Sequence, residues 1–379
     1  MSESNLSGPL AGVRVIEMSA IGPVPHCGLV LAEMGADVVR LDRAGASELG
    51  VPVPPRFDAL ARGKQSAVLD LKADEGRQAA LRLIGGADVL IEGFRPGVME
   101  RLGLGPEACL GANPRLVYGR VSGWGDAGPM AAEAGHDLNF LGLTGALLAM
   151  GMPGQPPPVP LNLVADFGGA AMQLACGVLA ALLHARATGQ GQVVATSIFE
   201  GAASLTPFAQ GLRAAGVWTD QRSGNILDGG APFYRTYATL DGGYVAVAAI
   251  EPRFYQALLE GLRLAGAIQA GAQMDRAGWP ATAALFTTRF AERTRDDWAA
   301  LFAGTDACVS AVLGWAEAAM HPQAAALGLF SPVDGVMLPR TAARFSATPA
   351  GVPAAAVAPG ADTQAVLRAA GLATPPEQP

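Results

Sequence analysis

Strand-like and helix-like patterns alternate through the first half of the chain, and this alternation restricts the fold more than any other feature. Strand-like runs occupy residues 13–19, 37–43, 66–71, 88–94 and 115–123, and helical spacing appears at 26–36 and 74–87. Strands that alternate with helices indicate a mainly parallel sheet covered on both faces. The sequence therefore predicts a Rossmann-like α/β domain, whose ligands bind outside the carboxyl ends of the strands.

Several common nucleotide-binding and hydrolytic signatures are absent from this frame. The chain reads SAIGPVPHCG after the first strand-like run, in place of G-x-G-x-x-G, and it has no P-loop lysine motif. Ser122 in GRVSGWG is misplaced for the nucleophile of a G-x-S-x-G elbow. These absences argue against three classes of protein: dinucleotide dehydrogenases, P-loop NTPases and α/β-hydrolases.

The amino-acid composition excludes further classes of protein. Half of the 379 residues are hydrophobic and 16% are charged, as in a compact globular protein, and the net charge of −7 argues against a general nucleic-acid binder. The four cysteines lack CxxC spacing, which argues against a zinc site or a redox pair. The first twelve residues lack the pattern of a signal peptide, so a cytoplasmic protein is expected. The apolar run at 167–184 contains Gln173 and is interpreted as a buried helix, so no membrane span is predicted.

The second half of the chain changes character. Glycine-rich turns and short alternating runs begin near residue 225, and helical patterns follow. The predicted organisation is a large α/β domain at 1–200, a linker helix region at 201–224, a small α+β domain at 225–325, and a C-terminal segment at 326–379 that returns to the large domain.

Polar residues stand at three places where helical patterns begin. His136 and Asp137 precede an apolar segment, Asp166 precedes a helix predicted to start near residue 167, and Glu251 precedes Pro252. Each position fits a helix cap or a turn. A capping role and a chemical role are compatible, because a helix N-terminus favours an ionised carboxylate.

Nine motifs in a fixed order carry a family resemblance. They are LAGVRVIEMS, GADVVRLDR, DLK, ADVLIEGFRPGVMERLGLG, GWGDAGP, AGHDLNF, LNLVADFGGA, DGGAPFYRTYATLDGGYVAVAAIEPRFY and DACVSAVL. The chain resembles the family III CoA-transferase (CaiB/BaiF-like) superfamily and, within it, the α-methylacyl-CoA racemases, from about residue 9 to 336. Each motif alone is weak, whereas nine in the right order are specific.

The resemblance implies a cofactor-free racemase or epimerase of 2-methylacyl-CoA thioesters. Such a reaction removes the α-proton from one face, passes through an enolate and returns a proton on the other face. His136 and Asp166 are implied as the two acid/base groups, with Asn162 as a hydrogen-bonding partner of Asp166. Glu251 is implied to orient His136, and the backbone N–H of Asp137 is a candidate donor to the enolate oxygen.

The resemblance also implies where CoA, as part of the substrate, is held. The implied contacts are Arg43, Leu69, Asp70, Leu71, Lys72, Gly93, Phe94, Arg95, Arg101, Gly135, His136, Asp137, Leu138, Asn139 and Phe140. Taken singly, an arginine among these is more often solvated surface charge. Phe140 departs from the tyrosine often found at its position, so one polar contact is missing. The family further implies a homodimer that shares its active site between subunits, with no metal and no nucleic acid.

Two alternatives stay open. A family III CoA transferase would move CoA between carboxylic acids through an acyl anhydride on Asp166, and it would leave His136 without a role. An inactive CoA-binding protein would keep the region of Arg43 and Arg101 and tolerate loss of His136 and Asp166. The presence of His136, Asp166 and Glu251 together favours the racemase.

Overall fold

A computed structural model describes residues 7–43, 45, 50–51, 53–340 and 342–372. The predicted C-terminal segment thus lies partly outside the described residues, at 373–379. The strands are β1 Arg14–Met18, β2 Asp37–Asp42, β3 Gln65–Val68, β4 Val89–Glu92, β5 Val117–Ser122, β6 Gln192–Ser197, β7 Tyr234–Ala238, β8 Tyr244–Ala248, β9 Val309–Ala311, β10 Phe330–Val333 and β11 Val336–Pro339.

The α-helices are α1 Pro23–Glu33, α2 Asp74–Gly85, α3 Val98–Arg101, α4 Pro106–Ala112, α5 Asp137–Gly142, α6 Ala146–Ala149, α7 Met172–Thr188, α8 Ile198–Ala203, α9 Pro207–Ala214, α10 Pro252–Gly261, α11 Trp279–Phe290, α12 Arg295–Phe302, α13 Trp315–Met320, α14 Pro322–Leu327 and α15 Thr363–Ala369. A nine-residue π-helical segment, Leu163–Ala171, runs directly into α7. The chain folds as two units, one formed by Met1–Thr144, Pro160–Leu205 and His321–Pro379, the other by Gly145–Val159 and Thr206–Met320.

The first unit is built on a six-stranded parallel sheet in the order β3-β2-β1-β4-β5-β6. The predicted fold class is confirmed. The strand order reverses between β1 and β4, and the carboxyl ends of the strands on either side of such a reversal border a crevice. Strand β3 ends earlier than predicted, because the Asp70 carboxylate accepts the N–H of Lys72 at 3.0 Å and turns the chain.

Two cores cover the two faces of this sheet, and neighbouring residues of each strand alternate between them. On one face Val15, Val38 and Ile91 pack with α1 and α7. On the other face Ile16, Val39 and Leu90 pack with α2, α4 and α15. Continuous apolar runs in β1, β2 and β4 are therefore required by burial on both sides.

The second unit has its own core and a three-stranded antiparallel sheet in the order β7-β8-β9. Aromatic rings dominate this core: Phe233 lies edge-on to Tyr255, Tyr237 stacks on Phe290, and Phe290 lies edge-on to Trp298. The indole N–H of Trp298 donates to the carbonyl of Phe290 at 2.9 Å, so its polar atom is satisfied.

One continuous helix among the described residues, Leu163–Thr188, is long and apolar enough to cross a membrane by length and composition alone. The sequence predicts a buried helix here, but only 39% of its most apolar window is buried. Leu174 and Val178 pack on the sheet, whereas Leu183 is exposed. The helix is therefore only partly buried: one side of α7 packs on the sheet, and the opposite side is exposed.

Candidate active site

A cavity of about 530 Å³ opens at the carboxyl edge of the parallel sheet. The residues that line it come from the carboxyl end of β5, from the segments that follow β1, β2, β4, β5 and β6, from α5 and from the π-helical segment. They are Ala20, Ile21, Gly22, Pro23, Val24, Arg43, Gly93, Phe94, Arg95, Pro96, Val98, Val121, Ser122, Gly123, Ala131, Glu133, Ala134, Gly135, His136, Phe140, Asp166 and Ile198. His136 and Asp166, 30 residues apart in the chain, thus line one cavity.

His136 stands immediately before α5, in an extended backbone conformation. Its N–H donates to Asn139 Oδ1 at 3.1 Å, and its carbonyl accepts the N–H of Asn139 at 2.8 Å. This reciprocal pair fixes the backbone of His136 while its side chain stays exposed. An exposed imidazole on a fixed backbone can reach a substrate in the cavity.

The ring of Phe140 fills the space beneath this turn. A Cβ on Gly123 or on Gly135 would lie within 2.9 Å of that ring, so only glycine fits beside it. Trp124 meets the same ring edge-on, with 4.6 Å between centroids. Phe140 is buried, and it contributes an apolar wall to the cavity in place of a hydroxyl group.

Asp166 lies in the first turn of the π-helical segment, whose N-cap is Asn162. The helix therefore starts earlier than the sequence predicts, and Asp166 is not its cap. Burial and the nearby charge of Asp137 raise the pKa of the Asp166 carboxyl to about 6, while a hydrogen bond from Asn162 lowers it. A carboxyl group with a pKa near 6 can both give and take a proton close to neutral pH.

The side chain of Asp137 is directed away from its own helix. Its Oδ1 accepts the N–H groups of Ala165 at 3.0 Å and of Asp166 at 2.7 Å, and its Oδ2 is buried without a partner among the described residues. Asp137 thus caps the turn that carries Asp166, which is the reason that this turn starts before residue 166.

Gly22, which also lines the cavity, lies next to the Asp166 carboxyl group. A Cβ on Gly22 would lie 3.1 Å from Asp166 Oδ2, and Gly22 has φ +73°, a conformation that favours glycine. Helix α1 begins at the next residue, Pro23, earlier than the predicted start at residue 26. The available signal was Gly-Pro before an apolar helical run, since proline is favoured in a first helical turn.

Sequence reasoning also missed two side chains that support segments lining the cavity, the half-buried His26 and the buried Glu92. His26, in α1, stacks on Phe167 with 4.5 Å between centroids, and burial lowers the pKa of its imidazole. Glu92, at the end of β4, accepts the N–H of Phe94 at 2.8 Å and pairs with Arg120 at 3.0 Å. Neither histidine stacking nor a cross-strand ion pair has a local sequence signature.

The residues implied for CoA binding divide into two groups. Arg43, Gly93, Phe94, Arg95, Gly135, His136 and Phe140 line the cavity. Leu69, Asp70, Leu71, Lys72, Arg101, Asp137, Leu138 and Asn139 are not among its lining residues; Leu69 and Asp70 border another cavity beside α2. Arg101 is exposed at the end of α3. Glu251 belongs to the second unit, where it is the extended N-cap of α10.

The chain is similar to known proteins over most of its length. Residues 10–363 match the sequence model of CoA-transferase family III. The α-methylacyl-CoA racemase of mouse is 45% identical, with 96% of this chain and 93% of the relative covered, and the human one is 44% identical, with 90% and 87% covered. A CaiB/BaiF family protein from Brucella suis has a solved structure that superposes with a TM-score of 0.83 at 26% identity, over 96% of this chain and 100% of that chain.

Proposed function

Because the chain belongs to CoA-transferase family III, we propose that it is a cofactor-free racemase of 2-methylacyl-CoA thioesters. The observation that carries the proposal is that His136 and Asp166 line a single cavity at the carboxyl edge of the sheet. Relatives that cover most of the chain and bear the name α-methylacyl-CoA racemase support it.

The proposed reaction is a proton exchange at the carbon next to the thioester. One of the two residues, His136 or Asp166, takes the α-proton, and the C–H electron pair moves into an enolate whose charge rests on the thioester oxygen. The other residue then donates a proton to the opposite face, which gives the other epimer. Only protons move between substrate and protein, so the reaction needs no redox cofactor.

Asp166 is suited to this exchange by its environment. With a pKa near 6, its carboxyl group is populated in both protonation states near neutral pH. Histidine is the other side chain that commonly exchanges protons in that range. In the proposal the backbone N–H of Asp137 donates to the enolate oxygen and Asn162 supports Asp166. The chain acts as a homodimer in which Glu251 of one subunit orients His136 of the other.

Arg43 and Arg95 are the proposed anchors of the CoA phosphates. Both line the cavity, and guanidinium groups form charge-assisted hydrogen bonds with phosphate oxygens. Gly93 and Gly135 also line the cavity, and each is required by packing, because a Cβ would lie 2.7 Å from Val24 or 2.8 Å from Phe140. Phe140 presents its ring to the cavity, which favours an apolar contact with the substrate.

Exchange without an acceptor acid separates the racemase from the CoA transferase. A single epimer of a 2-methylacyl-CoA is incubated with enzyme in deuterated water, and deuterium uptake and optical activity are followed together. The proposal predicts both deuterium uptake and racemisation by the wild type. Absence of both over several acyl chains, with transfer of CoA to an added carboxylate, would establish the transferase and refute the racemase.

A further inference from the structure

One buried residue beside the cavity connects the two proposed acid/base groups that line it. Asp137 follows His136 directly and opens α5, while its buried carboxylate accepts the N–H groups of Ala165 and Asp166. These bonds span 28 and 29 residues of sequence. A shift of the α5 start would therefore shift the turn that carries Asp166.

The second carboxylate oxygen of Asp137 strengthens the case for a dedicated role. Asp137 is 7% exposed, and its Oδ2 is buried with no hydrogen-bond partner among the described residues. An unpaired buried carboxylate oxygen is costly, whereas the hydroxyl of serine or threonine, which are common helix caps, has no second oxygen to leave unpaired. Capping alone therefore does not account for a carboxylate at this position, next to Asp166.

We propose that Asp137 is a positioning residue: its carboxylate clamps the Asp166 turn to the His136 turn and keeps a negative charge beside the Asp166 carboxyl group. This inference rests on the proposed racemase function and deepens it. The clamp fixes the separation of the two groups, and the charge favours the state in which Asp166 carries the proton.

No other ionisable group on the elements that pack against this turn raises the pKa of Asp166 by its charge. The titratable side chains on the elements that pack against the segment Leu163–Ala171 are His26, Cys27 and Glu33 of α1, Asp137 of α5 with His136 at its cap, Cys176, His184 and Arg186 of α7, and Glu200 of α8. Among them, Asp137 alone raises the pKa of Asp166 by its charge. Glu200 is engaged with the hydroxyl of Ser197 at 2.6 Å.

Two substitutions separate the clamp from the charge. Asp137→Asn keeps an oxygen that can accept both N–H groups but removes the charge, whereas Asp137→Ala removes both. Asp88→Asn is the matched control, because Asp88 also accepts a backbone N–H, that of Arg14 at 2.8 Å, but at the opposite edge of the same sheet.

The first readouts need no substrate. The carboxyl carbon of Asp166, assigned by its loss in Asp166→Asn, is titrated by carbon-13 NMR, and amide exchange is measured at Ala165 and Asp166. Removing a like charge lowers a carboxyl pKa, so the pKa of Asp166 should be about 0.5–1 pH unit lower in both Asp137 variants than in the wild type. Amide exchange should accelerate in Asp137→Ala and stay slow in Asp137→Asn.

Catalysis supplies the second readout. Racemisation in either direction needs one proton on the pair His136 and Asp166, so kcat/KM follows a bell-shaped pH profile whose acid limb reports loss of the first proton. A lower pKa of Asp166 moves that limb to lower pH in Asp137→Asn. In Asp137→Ala we expect kcat to fall about 100-fold as well, since misplacement of an acid/base group by about 1 Å has that effect.

The outcomes separate the proposals. The inference fails if the Asp166 carboxyl group has the same pKa in Asp137→Asn as in the wild type and in Asp88→Asn. It also fails if the amides of Ala165 and Asp166 exchange no faster in Asp137→Ala than in the wild type. Those two measurements decide the inference even if the wild type racemises no substrate, in which case the proposed function alone fails. Global unfolding in urea is compared across the variants, so that loss of the fold is recognised as such.

Discussion

His26 stacks on Phe167, the residue next to Asp166, with 4.5 Å between ring centroids and 17° between ring planes. The contact joins α1 to the π-helical segment at the point where that segment carries its carboxyl group. Burial lowers the pKa of His26, and the charges of Lys64 and Arg62 lower it further, while Glu33 opposes them. Burial and these two cations therefore disfavour protonation of the imidazole.

This stack predicts a pH dependence of stability. The folded state binds a proton at His26 less readily than the unfolded state, whose histidine titrates near pH 6.5. The unfolded state then binds more protons just below that pH, so the free energy of unfolding falls as the pH drops through about 6.5. His26→Phe keeps a ring on Phe167 and should flatten this part of the profile in urea unfolding between pH 7.5 and 5.5. His184→Phe, at an exposed position, is the control; an equal slope in wild type and His26→Phe would contradict the account.

The crossing of the π-helical segment and α8 predicts a steric effect. A Cβ on Gly201 would lie 2.7 Å from the backbone nitrogen of Ala170, and one on Gly169 would lie 2.8 Å from that of Ala202. Backbone cannot yield as a side chain does, so Gly201→Ala should lower the free energy of unfolding by about 1–3 kcal/mol. It should also reduce kcat, because the Asp166 turn moves. Gly85→Ala, whose Cβ meets nothing within 4 Å, should do neither, and similar losses in both variants would refute a specific crossing.

A buried ion pair beneath α1 predicts strong coupling. Lys64 Nζ donates to Glu17 Oε2 at 2.6 Å and to the carbonyl of Pro25 at 2.8 Å, and both side chains of the pair are almost fully buried. Burial raises the pKa of Glu17 and lowers that of Lys64. Removal of one partner leaves an unpaired buried charge, so Glu17→Leu or Lys64→Met alone should cost about 3–5 kcal/mol. The double variant should cost clearly less than the sum in a denaturation cycle; additive losses would show that the pair is not coupled.

The lining of the cavity predicts which arginines hold CoA. Arg43 and Arg95 line it, whereas Arg101 does not. Loss of a charge-assisted phosphate contact costs about 1.5–3 kcal/mol, so Arg43→Ala and Arg95→Ala should weaken CoA binding by roughly 10- to 100-fold in calorimetry. Arg101→Ala should have a smaller effect, and Arg115→Ala, an exposed arginine before β5, serves as the control. An effect of Arg101 larger than that of Arg95 would place the CoA phosphates elsewhere.

Local patterns were sufficient for the sheet and insufficient for the site. The ends of strands β1, β2, β4 and β5 lie within two residues of the predicted ends. A strand that is buried on both faces is a short continuous apolar run, and such a run can be recognised from local sequence. The resemblance to family III is confirmed by the match over residues 10–363. The predicted helix start near residue 167 was wrong, because the turn is capped by the Asp137 carboxylate, which lies 28 and 29 residues before the two N–H groups that it accepts. The sequence predicted that His26 lies in a helix but not that it stacks on Phe167, because contacts between residues far apart in the chain produce no periodic sequence pattern.

The most direct test of the two-group mechanism follows each epimer separately in single-site variants. In His136→Gln, Asp166 should still exchange the α-proton that faces it, so one epimer should take up deuterium without racemising while the other does neither. Asp166→Asn should show the reverse preference, and the wild type should exchange and racemise both. This complementary pattern is the predicted result. Equal residual exchange of both epimers in either variant, or racemisation that survives both substitutions, would contradict the assignment of His136 and Asp166 to opposite faces.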